Sequence, residues 1–147
     1  PRALREIYLK GFEIAVRDAQ PMAVMSAYNM INGIHAANSA DLLTKVLRNE
    51  WGFEGIVMTD WGTTAEAKPD LEGRLPLYGC SSAAACIKAG NDLIMPGSRE
   101  DVEEIIASVD AAEGTVKCPV KVEELRACAE RMLRMIAKSN VCPGRSL

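Results

Sequence analysis

Histidine is almost missing from this chain: among 147 residues only His35 carries an imidazole, so the five cysteines have almost no partner for metal ligation. Cys80, Cys86, Cys118, Cys128 and Cys142 also lack any C-x-x-C spacing, and no metal site is expected. An odd count argues against a complete disulfide framework, so they read as free thiols in a reducing compartment, which favours the cytoplasm. His35 itself reads as a loop residue rather than a catalyst. Positive charge is not in surplus either. A net charge of −3 removes the basic face that a polyanion requires, so no nucleic-acid partner is expected. No apolar run approaches the ~20 residues needed to span a bilayer, which gives no membrane partner. Glycine-rich phosphate loops, internal repeats and low-complexity tracts are absent, and no cofactor is expected.

What is present is ordinary globular material, 48% hydrophobic and 25% charged. Leu4, Ile7, Tyr8, Gly11, Ile14 and Ala15 fall on one helical stripe, and Gln20-Pro21 ends that helix before a strand from Met22 to Tyr28. After an Asn32-Gly33 turn, Asn38 or Ser39 can cap a helix that turns Leu42, Leu43, Val46 and Leu47 inward, with Gly52 beyond its end. The apolar run Ile56-Val-Met58 lacks polar alternation and suits a parallel strand covered on both faces. Thr63 to Gly79 is polar, carries Pro69, Gly73 and Pro76, and reads as a long loop, equally an active-site rim or a surface insertion. An Ala-rich helix, a strand from Asp92 to Met95 and a helix opened by Ser98 follow, the last burying Val102, Ile105, Ile106 and Val109. Residues 111–119 read as a linker to a closing helix, 120–139, with Leu125, Cys128, Ala129, Met132, Leu133 and Ile136 as its packing side.

Asp60 stands where the Ile56–Met58 strand runs out into a loop. In β/α proteins the carboxyl end of a strand is where reacting groups are presented, so a carboxylate there is a candidate for chemistry. Its bland alternative is a cap on a following helix. Trp61 comes next, and an aromatic surface beside a carboxylate suits a sugar ring with apolar faces and a polar rim.

Several words around Asp60 agree in order and spacing. Val24-Met-Ser-Ala-Tyr-Asn-Met-Ile-Asn-Gly33, Leu42-Leu-Thr-Lys-Val-Leu-Arg-Asn-Glu-Trp-Gly-Phe-Glu-Gly55, Val57-Met-Thr-Asp-Trp61 and Ala89-Gly-Asn-Asp-Leu-Ile-Met-Pro96 together resemble the second half of the catalytic barrel of glycoside hydrolase family 3, the β-glucosidase and β-xylosidase type. The resemblance spans about Leu4 to Lys138. It implies an α/β fold, a partial TIM (β/α)8 barrel of about three parallel strands with flanking helices. A complete barrel takes ~250 residues, so the chain is expected to be a fragment of a longer enzyme. Strand centres near Met25, Met58 and Ile94 lie 33 and 36 residues apart, the repeat of strand, crossover helix and strand.

The resemblance further implies a retaining glycosidase with Asp60 as nucleophile, Tyr28 beside it, Met25 on the pocket wall and Trp61 as the aromatic platform for the sugar. Its substrate would be a carbohydrate with terminal β-linked glucose or xylose. The proton donor and most hydroxyl-binding residues would come from missing parts of the parent chain, leaving the fragment inactive. Its unpaired barrel edges imply a homo-oligomer. Met25 equally suits plain core packing, and the lesser alternative for Tyr28 is a core tyrosine with its hydroxyl satisfied locally. A non-catalytic binding or oligomerisation module, or a small doubly wound domain, are the rival readings; the first is favoured if Asp60 sits in a structural ion pair.

Overall fold

The computed structural model describes residues 2–65, 80–112 and 114–139. The Cys142 thiol and most of the Thr63–Gly79 loop lie outside them. Four short strands form among the described residues: β1 Ala23–Met25, β2 Met30–Ile31, β3 Ile34–His35 and β4 Ile56–Met58. The α-helices are α1 Lys10–Ala19, α2 Ala83–Ala89, α3 Arg99–Ser108 and α4 Val122–Lys138. Two further segments, Leu4–Tyr8 and Asp41–Glu50, are wound more widely as π-helix. Wide turns of this kind are found mostly at functional or irregular positions; here one closes the Asp41–Glu50 segment, where Trp51 N–H donates to the Val46 carbonyl oxygen at 3.0 Å.

β1 and β4 pair in parallel, with Ala23 opposite Ile56 and Met25 opposite Met58. The chain between them supplies the crossover, through the β2–β3 hairpin and the Asp41–Glu50 segment. Ser39 Oγ accepts from Leu42 N–H at 3.3 Å and caps that segment. Leu43, Val46 and Leu47 are buried there with Trp51, Phe53, Val16 and Val57. Gly55 is obligatory, since a Cβ at this position would lie 2.5 Å from the Met22 carbonyl oxygen and 2.8 Å from that of Pro21. That close approach brings β4 alongside β1.

The expected third strand, Asp92 to Met95, contracts to one parallel bridge between Met58 and Leu93. Thr59 N–H to Leu93 O at 2.9 Å and Gly62 N–H to Met95 O at 2.7 Å continue that contact. What the structure shows is therefore a mixed α/β fragment with two small sheets, a parallel pair and a hairpin.

Three expected helix faces need correction. On the first helical segment Ile7, Tyr8 and Ile14 are exposed, and Val16 is the buried residue, with Leu9 packed beside it. In α3, Val102 and Ile106 are exposed and Ile105 alone of the expected apolar set packs on a core, while Asp101 and Ser108 are buried. In α4, Cys128 is buried and Leu125 packs near it, but Leu133 and Ile136 face outward. In each case the apolar stripe exists, and no described element lies over part of it. Ser98 caps α3 as expected, its Oγ accepting from Asp101 N–H at 3.0 Å. The described residues of the expected linker, 111–112 and 114–119, are without helix or strand, and a parallel bridge joins Val109 to Val120 across them. No described helix is long and apolar enough to cross a membrane.

Candidate active site

β4 carries Asp60 to the carboxyl end of the parallel pair, two residues past Met58. Thr59 anchors this end of the strand: it is fully buried, and its Oγ1 accepts from Met95 N–H at 2.9 Å. Past it the chain turns sharply, with Thr63 Oγ1 donating to the Asp60 carbonyl oxygen at 2.8 Å. Asp60 therefore does not cap a helix. Its Oδ1 accepts from Trp61 N–H at 2.7 Å, and among the described residues Oδ2 takes no hydrogen bond. Nor does any described cation form an ion pair with it.

Tyr28, beyond the end of the neighbouring β1, reaches across to the same turn. Its hydroxyl donates to the Trp61 carbonyl oxygen at 2.6 Å. The phenol is held above its ordinary pKa, first by partial desolvation and then by the nearby Asp60 carboxylate. The phenol therefore stays protonated beside the carboxylate, with its one hydrogen given to the Trp61 carbonyl oxygen. Trp61 itself is 65% exposed, its indole presented to solvent. Carboxylate, phenol and indole thus converge on one strand end, an arrangement that can offer a nucleophile, a hydroxyl beside it and a flat apolar face.

Met25 stands apart from that trio. It lines an apolar groove of about 540 Å³ with Leu4, Tyr8, Phe12, Met30 and Leu42, and none of Tyr28, Asp60 or Trp61 borders this space. The groove runs along β1 on the side away from β4. Only β4 pairs with β1 among the described residues, so this edge of the strand is open.

The supporting polar residues were not singled out from sequence. Asp92, whose side chain is fully buried, accepts from Val57 N–H at 2.8 Å, Arg48 Nη2 at 2.7 Å and Arg131 Nε at 2.7 Å. Burial, opposed by Asp92, pulls Arg48 below its usual range. Buried Asn91 joins Ser26 Oγ at 2.9 Å to the carbonyl oxygens of Ala37 and Cys86. The signal for these was the polar Asn91-Asp92 pair opening an otherwise apolar strand. Among the described residues the structural ion pair is thus made by Asp92 and not by Asp60.

A parallel β/α unit presenting these groups at its strand ends is the working end of a β/α enzyme segment. The chain belongs to glycosyl hydrolase family 3: the model of that family's N-terminal domain matches residues 1–135. The match is to that domain by name and does not itself place the chain in the later part of a barrel. Beta-glucosidase B from Emericella nidulans is 42% identical over 141 residues, covering 95% of this chain and 14% of the relative. An exo-alpha-(1->6)-L-arabinopyranosidase from Bifidobacterium breve is 46% identical over 110 residues, covering 75% of this chain and 12% of that protein. Among solved structures, beta-glucosidase 3B from Thermotoga neapolitana in complex with glucose superposes with a TM-score of 0.71 at 42% identity, over 92% of this chain and 17% of that one. The chain thus spans less than a fifth of the length of these relatives.

Proposed function

We propose that the chain is the nucleophile-bearing part of a longer retaining β-glycosidase that removes terminal β-linked glucose or xylose. It would supply later strands of the family's catalytic barrel, with the free edge of β1 facing the remainder. The observation that carries this reading is the Asp60 carboxylate at the end of β4, with one oxygen held by Trp61 N–H and the Tyr28 phenol and Trp61 indole beside it.

In the first step Asp60 Oδ2 attacks the anomeric carbon while the bond to the leaving-group oxygen breaks. A glycosyl ester forms, and the departing oxygen takes a proton from a carboxylic acid outside these residues. Water, deprotonated by the same group, then cleaves the ester and restores Asp60. Such double displacement needs the two carboxyl groups about 5–5.5 Å apart. Tyr28 steadies the carboxylate as its charge is redistributed, and Trp61 stacks on the apolar face of a sugar.

Turnover of aryl β-glucosides and β-xylosides by the full-length enzyme tests this. Asp60→Asn keeps shape while removing the attacking charge, so kcat should fall by about three orders of magnitude or more. Near-normal turnover in Asp60→Asn would remove the assignment. The 147-residue chain alone, lacking the acid, should be inert and should self-associate through the open β1 edge. A stable monomer by light scattering over a wide concentration range would contradict the second expectation.

A further inference from the structure

Tyr28 is held at both ends. Its hydroxyl donates to the Trp61 carbonyl oxygen at 2.6 Å, and its own carbonyl oxygen lies 3.2 Å from His35 Nδ1. The β2–β3 hairpin brings the two residues together: Met30 pairs with His35, and Ala36 N–H donates to the Asn29 carbonyl oxygen at 2.9 Å. Sequence reading gave His35 no part beyond a loop position.

We propose that His35 is a positioning residue for this reaction, fixing the backbone of Tyr28 so that the phenol stays beside Asp60; this rests on the roles proposed above. A carbonyl oxygen can only accept, so the hydrogen of the neutral ring sits on Nδ1 and Nε2 keeps its lone pair. Without this contact, the Tyr28 carbonyl loses its own tie to the hairpin, and the phenol is held only by the Asn29–Ala36 backbone bond next to it and the 2.6 Å contact at the other end.

The test is a series in the full-length enzyme. Asn presents an amide N–H near the place of Nδ1, whereas Gln presents one near the place of Nε2. His35→Ala and His35→Gln should each lower kcat/KM for an aryl β-glucoside by about three- to ten-fold, the factor one ordinary hydrogen bond is worth. His35→Asn should recover to within about two-fold of wild type on the same hydrogen-bond reasoning. In a Tyr28→Phe background His35→Ala should cost almost nothing more, since the group it positions is gone. Wild-type kcat/KM in His35→Ala, equal losses in Asn and Ala, or a full additional loss in the Tyr28→Phe background would each overturn the proposal. The series can fail with the nucleophile assignment intact, and Asp60→Asn can fail independently of it.

Discussion

β4 has two very different ends. At its start the fully buried Asp92 carboxylate draws in Val57 N–H and two arginines, tying β4 to the Asp41–Glu50 segment and to α4. At its finish Asp60 has one backbone N–H, no described cation and an exposed indole next to it. Both are aspartates beside the same strand, yet among the described residues one has three strong partners and the other a single backbone N–H. Buried ion pairing gathers at the amino end of the parallel strands, and the chemistry proposed above at the carboxyl end, the division expected of β/α architecture.

The comparison breaks most sharply in a pair of substitutions. Asp60→Asn should remove about three orders of magnitude or more of kcat with the unfolding temperature nearly unchanged. Asp92→Ala should do the reverse, costing about 3–5 kcal/mol because it strands Arg48 and Arg131 in partly buried positions; urea denaturation of the enzyme reads this directly. If Asp92→Ala leaves stability intact, the buried triad is not what holds β4.

A smaller effect is expected where the two ends meet. Thr59→Val keeps the volume of a buried side chain but removes the acceptor for Met95 N–H, and about 1–3 kcal/mol should be lost by denaturant titration. Some kcat should go with it, since the Thr59–Met95 contact steadies the turn that carries Asp60. Equal stability in Thr59→Val would show that water replaces the lost partner.

The smallest effect concerns the thiols under the strands. Burial pushes the Cys86 and Cys128 thiols up to about 11 from an ordinary value near 9. Ionisation is then easier in the unfolded chain, so the stability these groups contribute is whole below pH ~9 and is lost as pH rises toward 11. The unfolding temperature should decline over that window, less so in a Cys86→Ala, Cys128→Ala double variant. Exposed Cys80 should react first with a thiol reagent at neutral pH, and the two buried thiols only on unfolding.

Much of the fold was legible because it is local. Ile56-Val-Met58 has the pattern of a strand covered on both faces, Ser98 has the offset of a helix cap, and Leu43, Val46 and Leu47 share a helical face that is buried. The outward stripes of Leu4–Tyr8, α3 and α4 misled for a physical reason. Periodicity reports that a face has something to bury, not which element buries it, and Tyr8 and Phe12 look into an open groove. The third strand shrank because Leu93 alone holds register with Met58. Asp92 escaped notice because its partners Arg48 and Arg131 lie 44 and 39 residues away, a distance no spacing rule covers. At the site, Asp60 with Trp61 was legible from a carboxylate ending an apolar run. Tyr28 meets them through a bond across 33 residues, and Met25 lines the apolar groove beside β1.

The assignment of Asp60 as the attacking group is tested most directly by trapping the glycosyl ester. A 2-deoxy-2-fluoro glucoside with a good leaving group should inactivate the full-length enzyme, because the fluorine slows breakdown of the ester. Peptide mass analysis should then find one sugar on the segment from Gly55 to Trp61, and none in Asp60→Asn. The same sugar on another carboxylate, or inactivation of Asp60→Asn at the wild-type rate, would contradict the account.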